Sequence, residues 1–275
     1  MRNYRILRIA GVHYQEAIDL FQRANPDAQS LSSGEFLDRF LGMKAIYSDG
    51  FSRNMKLLGN EAWELLYDFE PLQKKWAAEH GVAYDAKRWK IEILLAQIRH
   101  HRPDILYMQD VQAIPFPIRK NLKDDYPFLK LLIAYKGFTG AEGELGNIDL
   151  LAVGNPMLRR HYMHEGVPIK LLYHAFDESI LEHLERCRTT TPRTPYDLTF
   201  IGSSGYGFGT GHQSRYWDLV RLIRDTDLML WVYDRMSMRD SQWRIVDAIL
   251  AAIRTLSPIL GDFGIADGAN HETNN

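Results

Sequence analysis

The sequence predicts an α/β protein built on a parallel sheet. Short apolar runs alternate with amphipathic helical stretches over most of the 275 residues. The runs are separated by helices or by connections long enough to cross over the sheet, which is the arrangement parallel strands need. Toward the end, a Thr, Arg and Pro-rich stretch is followed by a fresh strand–helix–strand–helix pattern, so the chain divides into a larger and a smaller unit.

The elements read in order as follows. Tyr4 to Val12 is a first strand, with His13 just past its end. Glu35 to Leu58 reads as helical, and Ala62 to Tyr67 as a second strand. Pro71 to His80 is a helix, with a proline suited to its first turn and Gly81 suited to its end. Lys87 to His101 is a stronger helix, because Ile91, Leu94, Leu95 and Ile98 share one stripe, and Pro103 stops it. Ile105 to Met108, Leu131 to Tyr135, Asp149 to Val153 and Ile169 to Tyr173 complete the strands of the first domain, residues 1–185.

Residues 186–196 read as a linker. Residues 197–260 form a partial second Rossmann-like domain: strand Leu198 to Ile201, a helix near Gln213 to Arg224, strand Leu228 to Val232, and a helix near Ser241 to Leu256. Residues 261–275 are a polar tail.

Composition narrows the function. A hydrophobic fraction of 45% and a charged fraction of 25% belong to an ordinary globular protein. A formal net charge of −2 carries no basic excess of the kind a general nucleic-acid binder shows. Cys187 is the single cysteine, which excludes an internal disulfide and a cysteine-based metal cluster. No signal peptide is recognisable and no apolar run approaches a membrane span, so a cytoplasmic protein without a membrane segment is expected.

Open parallel sheets bind ligands beyond the carboxyl ends of their strands. That makes His13, Gln109, Asp110, Lys136 and His174 the site candidates of the first domain. Asp110 reads either as a general base for a polar acceptor or as the cap of the next turn. His13 reads either as a base or as a polar residue bonding its own loop. In the second domain, Gly202, Ser203 and Gly205 open a glycine-rich turn between strand and helix, and Tyr216, Leu219, Val220 and Ile223 give that helix its apolar stripe. Free backbone N–H groups and the positive end of a helix dipole favour a phosphate there. His212 and Arg215 put further positive charge where the dipole is already positive, which an anion would compensate. The plain alternative is a surface loop with a solvated arginine.

Neither the dinucleotide spacing G-x-G-x-x-G nor the phosphate loop G-x-x-x-x-G-K-[ST] occurs, since Gly205, Gly207, Gly209 and Gly211 simply alternate. A nicotinamide or flavin dehydrogenase is disfavoured, and a methyltransferase lacks its glycine-rich turn after the first strand.

Several blocks, in order, resemble the CgeB-like glycosyltransferases of the GT-B fold. They are Glu70-Pro-Leu-Gln-Lys-Lys-Trp-Ala, Ile93-Leu-Leu-Ala-Gln-Ile, Arg102-Pro-Asp-Ile-Leu-Tyr-Met-Gln-Asp110, His174-Ala-Phe-Asp177, Tyr196-Asp-Leu-Thr-Phe-Ile-Gly202 and His212-Gln-Ser-Arg-Tyr-Trp217. The resemblance implies two Rossmann-like domains, the first on the acceptor side and the second binding a nucleotide-diphosphate sugar. It implies that Gly202, Ser203, Gly205, His212 and Arg215 contact the donor diphosphate without a bound metal or other cofactor. It places His174 and Asp177 at the interdomain cleft and Gln109 with Asp110 on the acceptor side, to which Lys136, at the end of its strand, is also assigned. Asp110 or His13 would then assist the acceptor hydroxyl.

The implied function is sugar transfer to a glycan or other polar acceptor, as in surface polysaccharide synthesis. The family continues into an Arg-x-Phe-Glu segment that this sequence lacks, so the donor half is expected to be represented by its opening portion. The chain alone is then expected to turn over little, with a separate donor-domain chain as a possible partner. The alternative is a non-catalytic glycan-binding or partner subunit.

Overall fold

A computed structural model describes residues 3–12, 15–44, 47–140, 145–164, 166–188, 196–202, 204 and 210–232. The chain forms two compact units, Met1–Thr189 and Thr190–Asn275.

In the first unit six parallel strands form one sheet in the order β2-β1-β3-β4-β5-β6. They are β1 (Arg5–Ala10), β2 (Glu61–Leu66), β3 (Ile105–Met108), β4 (Leu131–Lys136), β5 (Leu150–Val153) and β6 (Ile169–Leu171). The connection from β1 to β2 carries α1 (Gln15–Ala24), α2 (Ser33–Gly42) and α3 (Gly50–Leu57). The return to β3 carries α4 (Glu70–Glu79) and α5 (Trp89–His101). Then follow α6 (Phe116–Arg119) and α7 (Leu122–Asp125) before β4, α8 (Pro156–Tyr162) before β6, and α9 (Ser179–Arg188) after it. The expected α/β class with a parallel sheet is what the chain adopts. No helix among the described residues is long and apolar enough to cross a membrane.

Strand alternation separates the two faces of this sheet. Leu7, Ile9, Leu106, Met108, Leu132, Ala134, Leu151 and Val153 are buried together against Leu94 and Ile98 of α5 and Leu158 and Tyr162 of α8. On the other side, a cluster of Phe21, Phe36, Phe40 and Phe69 packs with Ala10 and Leu66 at the carboxyl ends of β1 and β2. Its rings meet edge-on or tilted at 4.8 to 6.2 Å, a geometry that adds to plain area burial.

The single helix expected over Glu35 to Leu58 is two. A capping box starts α2, in which Ser32 Oγ accepts from the Glu35 N–H and Glu35 reaches back to the Ser32 N–H. Lys44 then takes a left-handed φ of 52°, which no helix continues through. The apolar stripe alone gave no sign of this break. Other boundaries follow local chemistry: Pro71 sits in the first turn of α4, Gly81 leaves it at φ 63°, and Arg102 ends α5 at φ 46° before Pro103. Helix α9 runs on to Arg188, so Arg186–Arg188, read as linker, finish a helix.

The second unit contains β7 (Thr199–Gly202), α10 (Thr210–Asp225) and β8 (Met229–Val232). Strands β7 and β8 pair in parallel in a sheet of their own, with Thr199 opposite Met229 and Gly202 opposite Val232. Leu219 and Ile223, one turn apart on α10, are buried with Leu228 against Phe200 and Leu230. The expected helix near Ser241 to Leu256 and the tail lie outside the described residues.

Candidate functional site

A pocket of about 650 Å³ lies on the α3 side of the first sheet. Its floor follows from register: Arg8 stands beside Glu64 on one side and Tyr107 on the other, and Tyr135 projects from the same face of β4. The Arg8 guanidinium bonds Glu64 at 3.0 Å and donates from Nε to Gln109 Oε1 at 2.8 Å. Tyr47 and Phe51 lie 5.4 and 5.6 Å from that guanidinium. The other carboxylate oxygen of Glu64 accepts from the Ser52 N–H at 2.9 Å, which fixes the start of α3 over the sheet.

The opposite wall is the segment that follows β6. Asp177 fastens it: one carboxylate oxygen accepts from Ser48 Oγ at 2.6 Å, the other from Arg53 at 2.6 Å and Ser179 Oγ at 2.7 Å. Burial alone would raise the Asp177 pKa. The hydrogen bonds from Ser48, Ser179 and Arg53 outweigh it and hold the carboxyl well below the usual carboxylate range. A Cβ on Gly50 would stand 2.8 Å from Asp177 Oδ2, so a residue with no side chain permits this closure.

Within the pocket the ionic groups are paired and several neutral ones are open. Tyr107 has no hydrogen-bond partner among the described residues, and burial pushes its phenol up to about 12. Gln109 keeps its amide N–H₂, and Asn54, which donates to the Gly50 carbonyl at 2.6 Å, keeps its amide oxygen. The Tyr135 hydroxyl meets His174 Nε2 at 2.9 Å. Aromatic rings complete the lining, with Tyr173 and Phe176 both more than three-fifths exposed. Rings beside unpaired neutral donors and acceptors suit a neutral, hydroxyl-bearing ligand.

The expected site residues fall in different places. Gln109 and His174 line this pocket, and Asp177 braces its wall. Asp110 accepts from the Tyr67 hydroxyl at 2.6 Å and from the Gln112 N–H at 3.0 Å, the bonds of a turn cap. Burial, then the bond to Asp110, raises the Tyr67 pKa. Lys136, expected on the acceptor side, does not line this pocket. It is the neighbour of Tyr135 on β4, so it points to the opposite face, where it is buried and donates to the Gly140 carbonyl at 2.7 Å.

His13, Ser203 and Gly205 lie outside the described residues, as does the side chain of His212, whose backbone belongs to α10. Gly202 ends β7, and Arg215, half-buried, stands in the second turn of α10. Arg8, Tyr107 and Tyr135 were not among the residues expected. For Tyr107 and Tyr135 the alternation of strand side chains is the signal that could find them, since each follows a buried neighbour and takes the face the core does not use, whereas Arg8 carries no such local signal.

No family model matches the chain, and no curated protein sequence does.

Proposed function

We propose that the chain is a glycosyltransferase of GT-B type, moving a sugar from a nucleotide-diphosphate sugar to a glycan or other polar acceptor in surface polysaccharide synthesis. The observation that carries this reading is the second unit. Its strands form their own parallel sheet around a strand–helix–strand motif, and a glycine-rich connection joins the end of β7 to α10 and Arg215. In this reading Gly202, Ser203, Gly205, His212 and Arg215 take the diphosphate. Backbone N–H groups and the helix dipole neutralise the departing nucleotide, so no metal is assigned to that step. The first-unit pocket takes the acceptor, with Gln109, Tyr107 and Asn54 bonding hydroxyl groups and the aromatic rings covering the sugar faces.

A second reading is supported by the same pocket: it is complete within the first unit and carries no unpaired charge among its described residues. A glycan-binding or partner subunit needs no more than that. Calorimetric titration of the full chain with a panel of nucleotide-diphosphate sugars and of neutral disaccharides separates the two. Binding of a nucleotide sugar is the result expected for the transferase. Binding of disaccharides alone overturns it in favour of the binding subunit.

A further inference from the structure

We propose that Tyr135 and His174 form the proton-accepting pair for the acceptor hydroxyl, and that Gly154 exists to let them meet. The proposal rests on the acceptor-pocket reading above. The two residues come from different parts of the chain: Tyr135 from β4, His174 from the segment after β6. Their polar atoms lie 2.9 Å apart in the pocket wall, with the rings 5.7 Å apart and edge-on.

Gly154 supplies an independent observation. It directly follows β5, and a Cβ built on it would stand 2.5 Å from the Tyr135 hydroxyl and 3.6 Å from His174 Nε2. Its backbone does not take the left-handed conformation that would itself call for glycine. What excludes a side chain there is the phenol oxygen of Tyr135. Gly137 comes next closest, its Cβ position 3.5 Å from the same ring. Both glycines thus lie against the ring, whose hydroxyl meets the imidazole.

Charge sets the direction of the proton. Burial raises the Tyr135 pKa, so the phenol keeps its proton, and in this proposal it donates that proton to His174 Nε2 across the 2.9 Å contact. That bond fixes the imidazole with its own proton on Nδ1. The phenol oxygen still has lone pairs to accept a hydrogen bond from an acceptor hydroxyl. In the transfer step the acceptor oxygen forms a bond to the sugar C1 and gives its proton to Tyr135 as the phenol proton passes to His174. The C1–oxygen bond to the diphosphate breaks, and its electron pair leaves with the nucleotide. One displacement of this kind inverts the anomeric configuration. Asp110, its oxygens engaged by Tyr67 and Gln112, is not needed for the proton.

The test uses the full chain labelled with ¹⁵N-histidine, titrated with neutral disaccharides, as wild type, Tyr135→Phe and Gly154→Ala. Gly154→Ala leaves both partners in the sequence, and its Cβ meets the movable hydroxyl end of the Tyr135 side chain and no backbone, so the fold is expected to survive while the pair is pushed apart, as checked by amide spectra. The expected result is a His174 imidazole protonated on Nδ1, an Nε2 resonance that moves in both variants, and disaccharide affinity reduced about tenfold in both. A His174 spectrum unchanged in both variants, or an Nε2–H tautomer, overturns the pair while leaving the acceptor pocket standing if disaccharides still bind. Disaccharides that shift no pocket resonance in the wild type overturn the acceptor reading and the pair with it.

Discussion

Arg53 donates to Asp177 at 2.6 Å across 124 residues of sequence, and this contact braces the wall of the pocket beside Tyr107 and Tyr135. The same carboxylate holds Ser48 and Ser179, so one side chain ties the segment after β6 to the start of α3. An amide in its place keeps one acceptor oxygen, loses the charge that faces Arg53, and turns an N–H₂ toward donors on one side. Asp177→Asn is expected to cost about 1 to 3 kcal/mol, read as a lower urea midpoint at pH 7 with an unchanged slope.

Acid adds a second readout of the same contact. The folded Asp177 pKa lies below its unfolded value, so the unfolded chain binds more protons and stability rises with pH in that range. The contribution is complete above the unfolded carboxylate value of about 3.9 and is lost as pH falls below it. Unfolding of Asp177→Asn measured from about pH 4 down to about pH 2 is expected to show a shallower loss of stability than the wild type.

His101 governs a different window. At the end of α5 it packs against Trp63 with ring centres 4.9 Å apart, and burial lowers its pKa to about 4. A histidine kept neutral in the fold charges first in the unfolded chain. Stability is therefore expected to fall as pH drops from about 6.5, the unfolded value, toward about 4. His101→Gln should flatten that stretch of the stability–pH curve.

Arg8 and Glu64 form a mostly buried pair, with side chains 12% and 5% exposed. Removing one charge leaves the other without its partner. Arg8→Met is expected to destabilise by about 3 kcal/mol. Adding Glu64→Gln should restore part of the loss, so a double-mutant cycle should show favourable coupling between the two positions.

Two further substitutions distinguish the faces of the sheet. Lys136 points away from the pocket, so Lys136→Met is expected to leave disaccharide affinity unchanged. Tyr107→Phe removes a hydroxyl that has no described partner, and about tenfold weaker binding is expected by calorimetry, equal to about 1.4 kcal/mol.

The parallel sheet is legible in the sequence because its strands are short, apolar and separated by crossover lengths, as at Ile105 to Met108 and Leu131 to Tyr135. The break at Lys44 is not, because an apolar stripe cannot report a single left-handed residue. Strand-end reasoning names Gln109 and His174, which line the pocket, together with Lys136, which does not, since position along the chain does not say which face a side chain takes. Arg8 escapes it altogether: a charged residue inside an apolar strand has meaning only once Glu64 is seen beside it. Asp177 reads as a cleft residue in the sequence. Its bonds to Ser48 and Arg53 join segments too distant for any local pattern to connect.

The central claim is that the turn before Arg215 holds the pyrophosphate of a sugar donor. Calorimetric titration of the wild type and Arg215→Ala with the nucleotide-diphosphate sugar panel tests it most directly. The account predicts that the wild type binds at least one of them and that Arg215→Ala weakens it about tenfold or more, with disaccharide binding unchanged. Equal affinity in the two proteins, or no binding of any nucleotide sugar by the wild type, would contradict it.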